Sequence, residues 1–162
     1  MLSFNSLSAL RKYVMSSSKE GMNIVGEKVK EVLKEYVQND VYDSYEPTEY
    51  KRTYELIDSI TVKVIGTVGD SIMVEVYFDK DKMNHATLFG DDNLGIEAGD
   101  NVYIPKWVDE GYTWRPSRIE KNPTNFMKDT VRELESGSGS YPLYVVGLVN
   151  YLKSKGIQVV NL

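Results

Sequence analysis

The sequence has no cysteine and only one histidine in 162 residues. Without thiols there are no disulfide staples, thiolate nucleophiles or iron–sulfur clusters, and the common zinc sites lose their usual ligands. The lone His85 leaves a histidine triad or a two-histidine metal site without its second member in one subunit, and reads as a surface residue. No stretch reaches the roughly 20 apolar residues that span a bilayer. The opening Met1-Leu2-Ser3-Phe4 has no basic region ahead of an apolar core, so neither export nor membrane insertion is expected. Positive charge is not in excess either: 19 basic residues stand against 24 acidic ones, a formal net charge of −5. The long-range field that attracts nucleic acid is therefore missing, and tight sequence-specific DNA binding is disfavoured. Gly66 and Gly69 follow a strand-like run, but without the spacing or the lysine of a phosphate-binding loop.

What is present reads as an ordinary folded chain. Hydrophobic residues make up 41% and charged residues 27%, and the length suits one core, so residues 1–162 are expected to form a single domain. Leu7, Leu10, Tyr13 and Val14 suggest a brief helix, broken at Ser16–Ser18. Ser17 and Glu20 have the spacing of a capping box for a second, longer helix. In that helix Met22, Val25, Val29, Val32, Leu33 and Tyr36 form one apolar stripe, with the charges of Glu27–Glu35 on a solvated face. Pro47 marks a loop or helix start in the tyrosine-rich segment 42–54, and residues 48–58 allow a further helical stretch. The period then changes to two. Ile60, Val62 and Val64, then Ile72, Val74 and Val76, alternate with their neighbours on either side of Gly69-Asp70, which predicts a β-hairpin.

Residues 79–101 read as a long acidic loop, and 102–108 as a short strand or a helical turn. Asn122-Pro123 resembles an N-cap with proline at the first helical position, for a helix bearing Phe126, Thr130 and Leu134 and ending at Ser136. A flexible 137–140 linker follows. Beyond it, Tyr144, Val145, Leu148, Val149 and Leu152 predict a helix closed by Gly156 and followed by a last strand, Ile157–Val160. The fold class is thus α+β: a long N-terminal helix on a small antiparallel sheet with a central hairpin, plus C-terminal helices and a terminal strand.

No reactive constellation stands out, no cofactor is expected, and the chain reads as a non-enzyme. Asp91, Asp92, Asn93, Glu97 and Asp100 break the twelve-residue calcium-loop pattern, because Gly95 falls one place early and Val102 stands where the bidentate glutamate belongs. Asp109 and Glu110 are adjacent, so their side chains diverge. Twelve tyrosines either cap the core or enrich an interface. Trp107, Tyr112 and Trp114 with Arg115 and Arg118 form a basic-aromatic cluster, of the residue types that anchor subunit contacts. Tyr45, Tyr50 and Arg52 are candidates for a second contact surface, and Ile157 and Val159 for a strand added to a neighbour's sheet edge.

Two stretches carry a resemblance. Tyr45-Glu46-Pro47-Thr48 runs through Arg52-Thr53-Tyr54-Glu55-Leu56-Ile57-Asp58-Ser59-Ile60 into the hairpin. Trp107-Val108-Asp109-Glu110-Gly111 is followed by Arg115-Pro116 and then by Asn125-Phe126-Met127 opening a helix. Over roughly residues 15–136 the chain resembles the small neck proteins of tailed bacteriophages, the head–tail joining, tail-completion or minor tail components of lambdoid-type phages. It departs from them at Asn125, where arginine or proline is more usual, in a longer acidic insertion after the hairpin, and in an extra helix and strand over 141–162.

The resemblance implies a virion protein at the head–tail junction, assembled in the host cytoplasm. Its partners would be copies of itself in a ring, six-fold in expectation, together with the head connector and the tail tube or tail terminator. DNA would pass through without specific binding. Alternatives are a tail-terminator ring capping the tail tube and a cytosolic protein-binding module. Ring closure needs two different surfaces per subunit, and the tyrosine-rich loop and the Trp/Arg turn are candidate halves.

Overall fold

A computed structural model describes residues 3–44, 54–69, 71–83, 104–114, 119–137 and 141–159. The expected α+β class is present: a long N-terminal helix, a small antiparallel hairpin sheet and C-terminal helices. Helix α1 runs unbroken over Leu7–Tyr36, so the break at Ser16–Ser18 does not occur and Ser17 is not an N-cap. Serine in a helix interior costs only a fraction of a kcal/mol relative to alanine, roughly 0.5. Here Ser17 is buried, so its small side chain sits on the packed face instead of starting a helix.

At its end α1 widens into π-helical turns, Val37–Tyr42, where the Asp43 N–H donates to Gln38 O, five residues back, at 2.8 Å. The extra residue per turn brings Val37, Val41 and Tyr42 all into the core. Of the predicted 48–58 helix, residues 54–58 are described: α2 is Glu55–Asp58, and Tyr54 before it, at φ 59°, lies outside the helix. Strands β1 (Ile60–Val68) and β2 (Ser71–Phe78) form the predicted hairpin. Gly69 at its tip has φ 62°, a left-handed conformation that glycine adopts without strain. A single 3₁₀ turn, Lys80–Lys82, follows. The segment left open between strand and helical turn is helix α3, Ile104–Glu110. A short ribbon comes next, β3 (Tyr112–Trp114) antiparallel to β4 (Ile119–Lys121).

Helix α4 spans Phe126–Ser136 and stops where expected. It does not begin at Asn122-Pro123, which precede it by three residues. Helix α5 spans Leu143–Ser154. It ends in a Schellman motif: the Gly156 N–H donates to Lys153 O and the Ile157 N–H to Leu152 O, both at 3.0 Å, with Gly156 at φ 74°. The described part of the expected terminal strand does not form. Residues 157–159 take no strand conformation, because the Ile157 amide is used to close the helix; Val160 lies outside the described residues.

The chain groups into two compact units. One comprises Met1–Glu31, Val62–Val76 and Arg132–Leu162. In it α1 approaches the hairpin at Gly26, where a Cβ would lie 2.5 Å from a Val62 methyl and 2.8 Å from a Val74 methyl. Only a residue without a side chain permits that approach. The same helix meets α5 at Gly21, beside Leu148 and Tyr151, and at Ile24, beside Gly147.

The other unit comprises Val32–Thr61 and Tyr77–Val131. Its core is built from Val32, Leu33, Val37, Val41, Tyr42, Leu56, Ile60, Met83 and Phe126. Phe126 is 0% exposed and meets Phe78 edge-on, with ring centroids 6.0 Å apart. Buried Ser59 is fully used: its hydroxyl donates to Leu56 O at 2.7 Å, and its carbonyl accepts from the Asp79 N–H at 2.8 Å across the base of the hairpin.

Candidate interaction surfaces

The best-defined local arrangement in the Trp/Arg region centres on Asp109, near the end of α3. Its carbonyl accepts from the N–H groups of Thr124 and Asn125 at 3.1 and 3.0 Å, and its carboxylate accepts from the Met127 N–H at 2.8 Å. The Thr124 hydroxyl adds a bond to Val108 O at 2.8 Å. Asp109 therefore caps α4 from another element, taking the capping role that was expected of Asn122 for a helix starting three residues earlier. Asn125, with φ 58°, turns the chain into the helix, and its carbonyl accepts the Asp129 N–H. A carboxylate at a helix N-terminus also opposes the positive end of the helix dipole.

Around this centre, Trp107 lies on α3, and Tyr112 and Trp114 alternate on β3, opposite Lys121 and Ile119. Arg115, Arg118, Tyr45, Tyr50 and Arg52 lie outside the described residues, as do His85, the acidic stretch 91–100 and the linker residues 138–140. Tyr42 is a core residue: burial pushes its phenol up to about 12, although the backbone N–H groups of Ile57 and Leu56 favour the charged form. Its ring stacks at 4.7 Å on that of Tyr54, which is exposed. The tyrosine enrichment thus serves both the core and the surface.

Ile157 helps line an open groove of about 780 Å³ between the start of α1 and the end of α5, together with Phe4, Leu10, Tyr13 and Val14. The Tyr13 hydroxyl donates to Lys155 O at 2.8 Å, joining two of the groove's lining residues. Val159 is half-buried. Close by, the Tyr151 hydroxyl donates to the Glu20 carboxylate, and the Lys155 ammonium lies 3.6 Å from the same carboxylate and 5.2 Å from the Tyr151 ring centre. The Tyr151 hydrogen bond and then the Lys155 charge hold the Glu20 carboxyl below its ordinary range. Tyr151 and Lys155 are visible in the sequence as an i, i+4 pair. Nothing local assigns Glu20 to them.

Asp40, on the π-helical turn, is the reverse case. Its Oδ2 is buried without a hydrogen-bond partner, and burial first, then the charge of Asp129, raises its carboxyl above the ordinary value. Among the described residues no group of three or more histidine, cysteine, aspartate or glutamate side chains is placed to hold a metal. No helix among them is long and apolar enough to cross a membrane.

The model of the YomN family matches residues 6–154. The chain belongs to the YomN family. The matched segment runs from the start of α1 to the last residue of α5, so the C-terminal helix, which stands outside the neck-protein resemblance, is part of the YomN unit. No curated protein and no solved structure matches the chain.

Proposed function

We propose that the chain is a structural neck protein of a tailed phage, forming a homo-oligomeric ring that joins the head connector to the tail and leaves a channel for DNA. The observation that carries this reading is the Asp109 arrangement. The residues of one stretch of the neck-protein resemblance, 107–111 and 125–127, are far apart in sequence yet meet through the hydrogen bonds of one aspartate. A likeness in order and spacing has a physical basis when its parts build one local structure. Membership of the YomN family, whose name hints at a phage origin, supports the same reading. A mildly acidic subunit, with a net charge of −5, also suits a channel that must let DNA slide without gripping its phosphates.

The test is a deletion in the phage that encodes the protein, followed by imaging of the particles. Filled heads and complete tails that fail to join are the expected result, with joining restored by supplying the protein. Tails of irregular length would assign the tail-terminator role instead. Intact, infectious particles containing none of the protein would remove the proposal.

A further inference from the structure

The hairpin has properties that its own chain does not use. It is a two-stranded sheet with strands of nine and eight residues, and among the described residues neither outer edge is paired. Such a ribbon is marginal by itself, and its edges offer rows of free N–H and C=O groups. Neither strand contains proline, so no donor is missing from either row. One face rests on α1 at Gly26. On the other, Ile65 and Met73 are 50% and 47% exposed. The same outward face carries Lys63 on β1 and Glu75 on β2, both exposed and neither in an ion pair among the described residues.

We infer that the hairpin is the surface through which copies of this chain associate, the free edge of β2 in one copy pairing with the free edge of β1 in the next. The inference rests on the ring reading above and names its self-contact. Three features favour this occupant. First, the strands of a hairpin run antiparallel, so placing a second β1 beside β2 continues the alternation and gives one antiparallel sheet across subunits. Second, the contact joins two different edges, which is the head-to-tail interface a ring requires. Third, the hairpin's own register, fixed at its base by the Asp79 N–H on Ser59 O, sets Lys63 opposite Glu75, Ile65 opposite Met73 and Thr67 opposite Ser71, and a second β1 added beside β2 in that register repeats the same pairs across the contact. Charge, apolar and hydroxyl pairs are each of the kind that stabilises neighbouring strands. Pairing β1 with β1 in the equivalent central register would set Lys63 against Lys63.

The test uses the full-length chain and sedimentation over a range of concentrations. Lys63→Glu and Glu75→Lys, each alone, are expected to raise the concentration for half-assembly by at least ~10-fold, because like charges then meet across every contact. Mixed in equal amounts, the two variants are expected to assemble near the wild-type concentration, since the glutamates of one meet the lysines of the other. Circular dichroism of each variant at low concentration is expected to match the wild type, and its melting temperature to fall slightly, whether alone or in the mixture, because the like charges also face each other within its own hairpin. In the assembled wild type, amide exchange should slow in residues 60–67 and 71–78 relative to the dilute protein. If both variants assemble like the wild type, if their mixture stays apart, or if protection appears elsewhere, edge pairing is overturned and the ring reading stands. A wild-type chain that is monomeric at every concentration would remove the ring reading and this contact with it.

Discussion

In the unit formed by residues 32–61 and 77–131, nine hydrophobic residues are buried and three large ones exposed, among the described residues; in the unit formed by 1–31, 62–76 and 132–162, three are buried and seven exposed. The first unit has a conventional core around Phe126, Ile60 and Val37. The second is held by close approach through glycines, by the Glu20–Tyr151–Lys155 group and by the Tyr13 hydrogen bond at its periphery. Fold strength and available apolar surface are thus separated within one chain. The unit with the poorer core carries the hairpin face and the exposed Phe4, Leu7 and Leu10, and so has more to offer a partner.

The strongest way to break this contrast is Phe126→Ala. It should cost about 3–5 kcal/mol, read as a fall in the midpoint of chemical denaturation, because the ring is fully enclosed and its loss leaves a cavity. A cost near that of a surface change would mean that the better-packed unit is not the stable one. In the other unit, Gly26→Ala should cost about 1–3 kcal/mol in the same measurement, since the added methyl must displace Val62 and Val74. Asp109→Ala should cost about 0.5–2 kcal/mol through the lost helix cap, with Asp109→Asn recovering much of it, because an amide oxygen still accepts the Met127 N–H.

Asp40 sharpens the contrast through pH. Its carboxyl is raised above the unfolded value, so the folded state holds the proton more tightly and the charged form is a cost at neutral pH. That cost is relieved as pH falls through the folded-state value. Asp40→Asn should therefore raise the melting temperature at pH 7, and the gain should shrink as the pH is lowered through the carboxylate range. A gain that is constant with pH would show that the charge is not its cause. The smallest effect belongs to Leu7→Ser: at 81% exposure the side chain has little burial to lose, and stability should change by no more than about 0.5 kcal/mol.

Much of the fold was legible because its signals are local. The 3.6-residue stripe through Val25, Val32 and Leu33, the alternation in Ile60–Val64 and Ile72–Val76, the end of α4 at Ser136 and the closure of α5 by Gly156 each depend on residues within a few positions of one another. Local reading failed where a distant group took over a local role. Asn122-Pro123 has the composition of a helix start, yet the cap comes from Asp109 on another element. Ser17 and Glu20 have capping-box spacing, yet one faces the packed side of an unbroken helix and the other binds Tyr151 and Lys155. Of the candidate site, Trp107, Tyr112 and Trp114 fall in one run of structure around the Asp109 arrangement. Ile157 and Val159 leave the strand role for a helix end and the residues after it.

Sequence by itself determined where the chain alternates, where it winds and where glycine lets it turn, because backbone sterics and the period of apolar residues act over a turn or two. It also determined that thiol chemistry is absent. Only the tertiary structure decided that Asp109 serves α4, that Gly26 is the point of contact with the hairpin, and that one carboxylate oxygen of Asp40, on a π-helical turn, is buried without a hydrogen bond. Those outcomes depend on which groups meet across long stretches of chain, and hydrogen bonding and steric fit between distant residues leave no period to read.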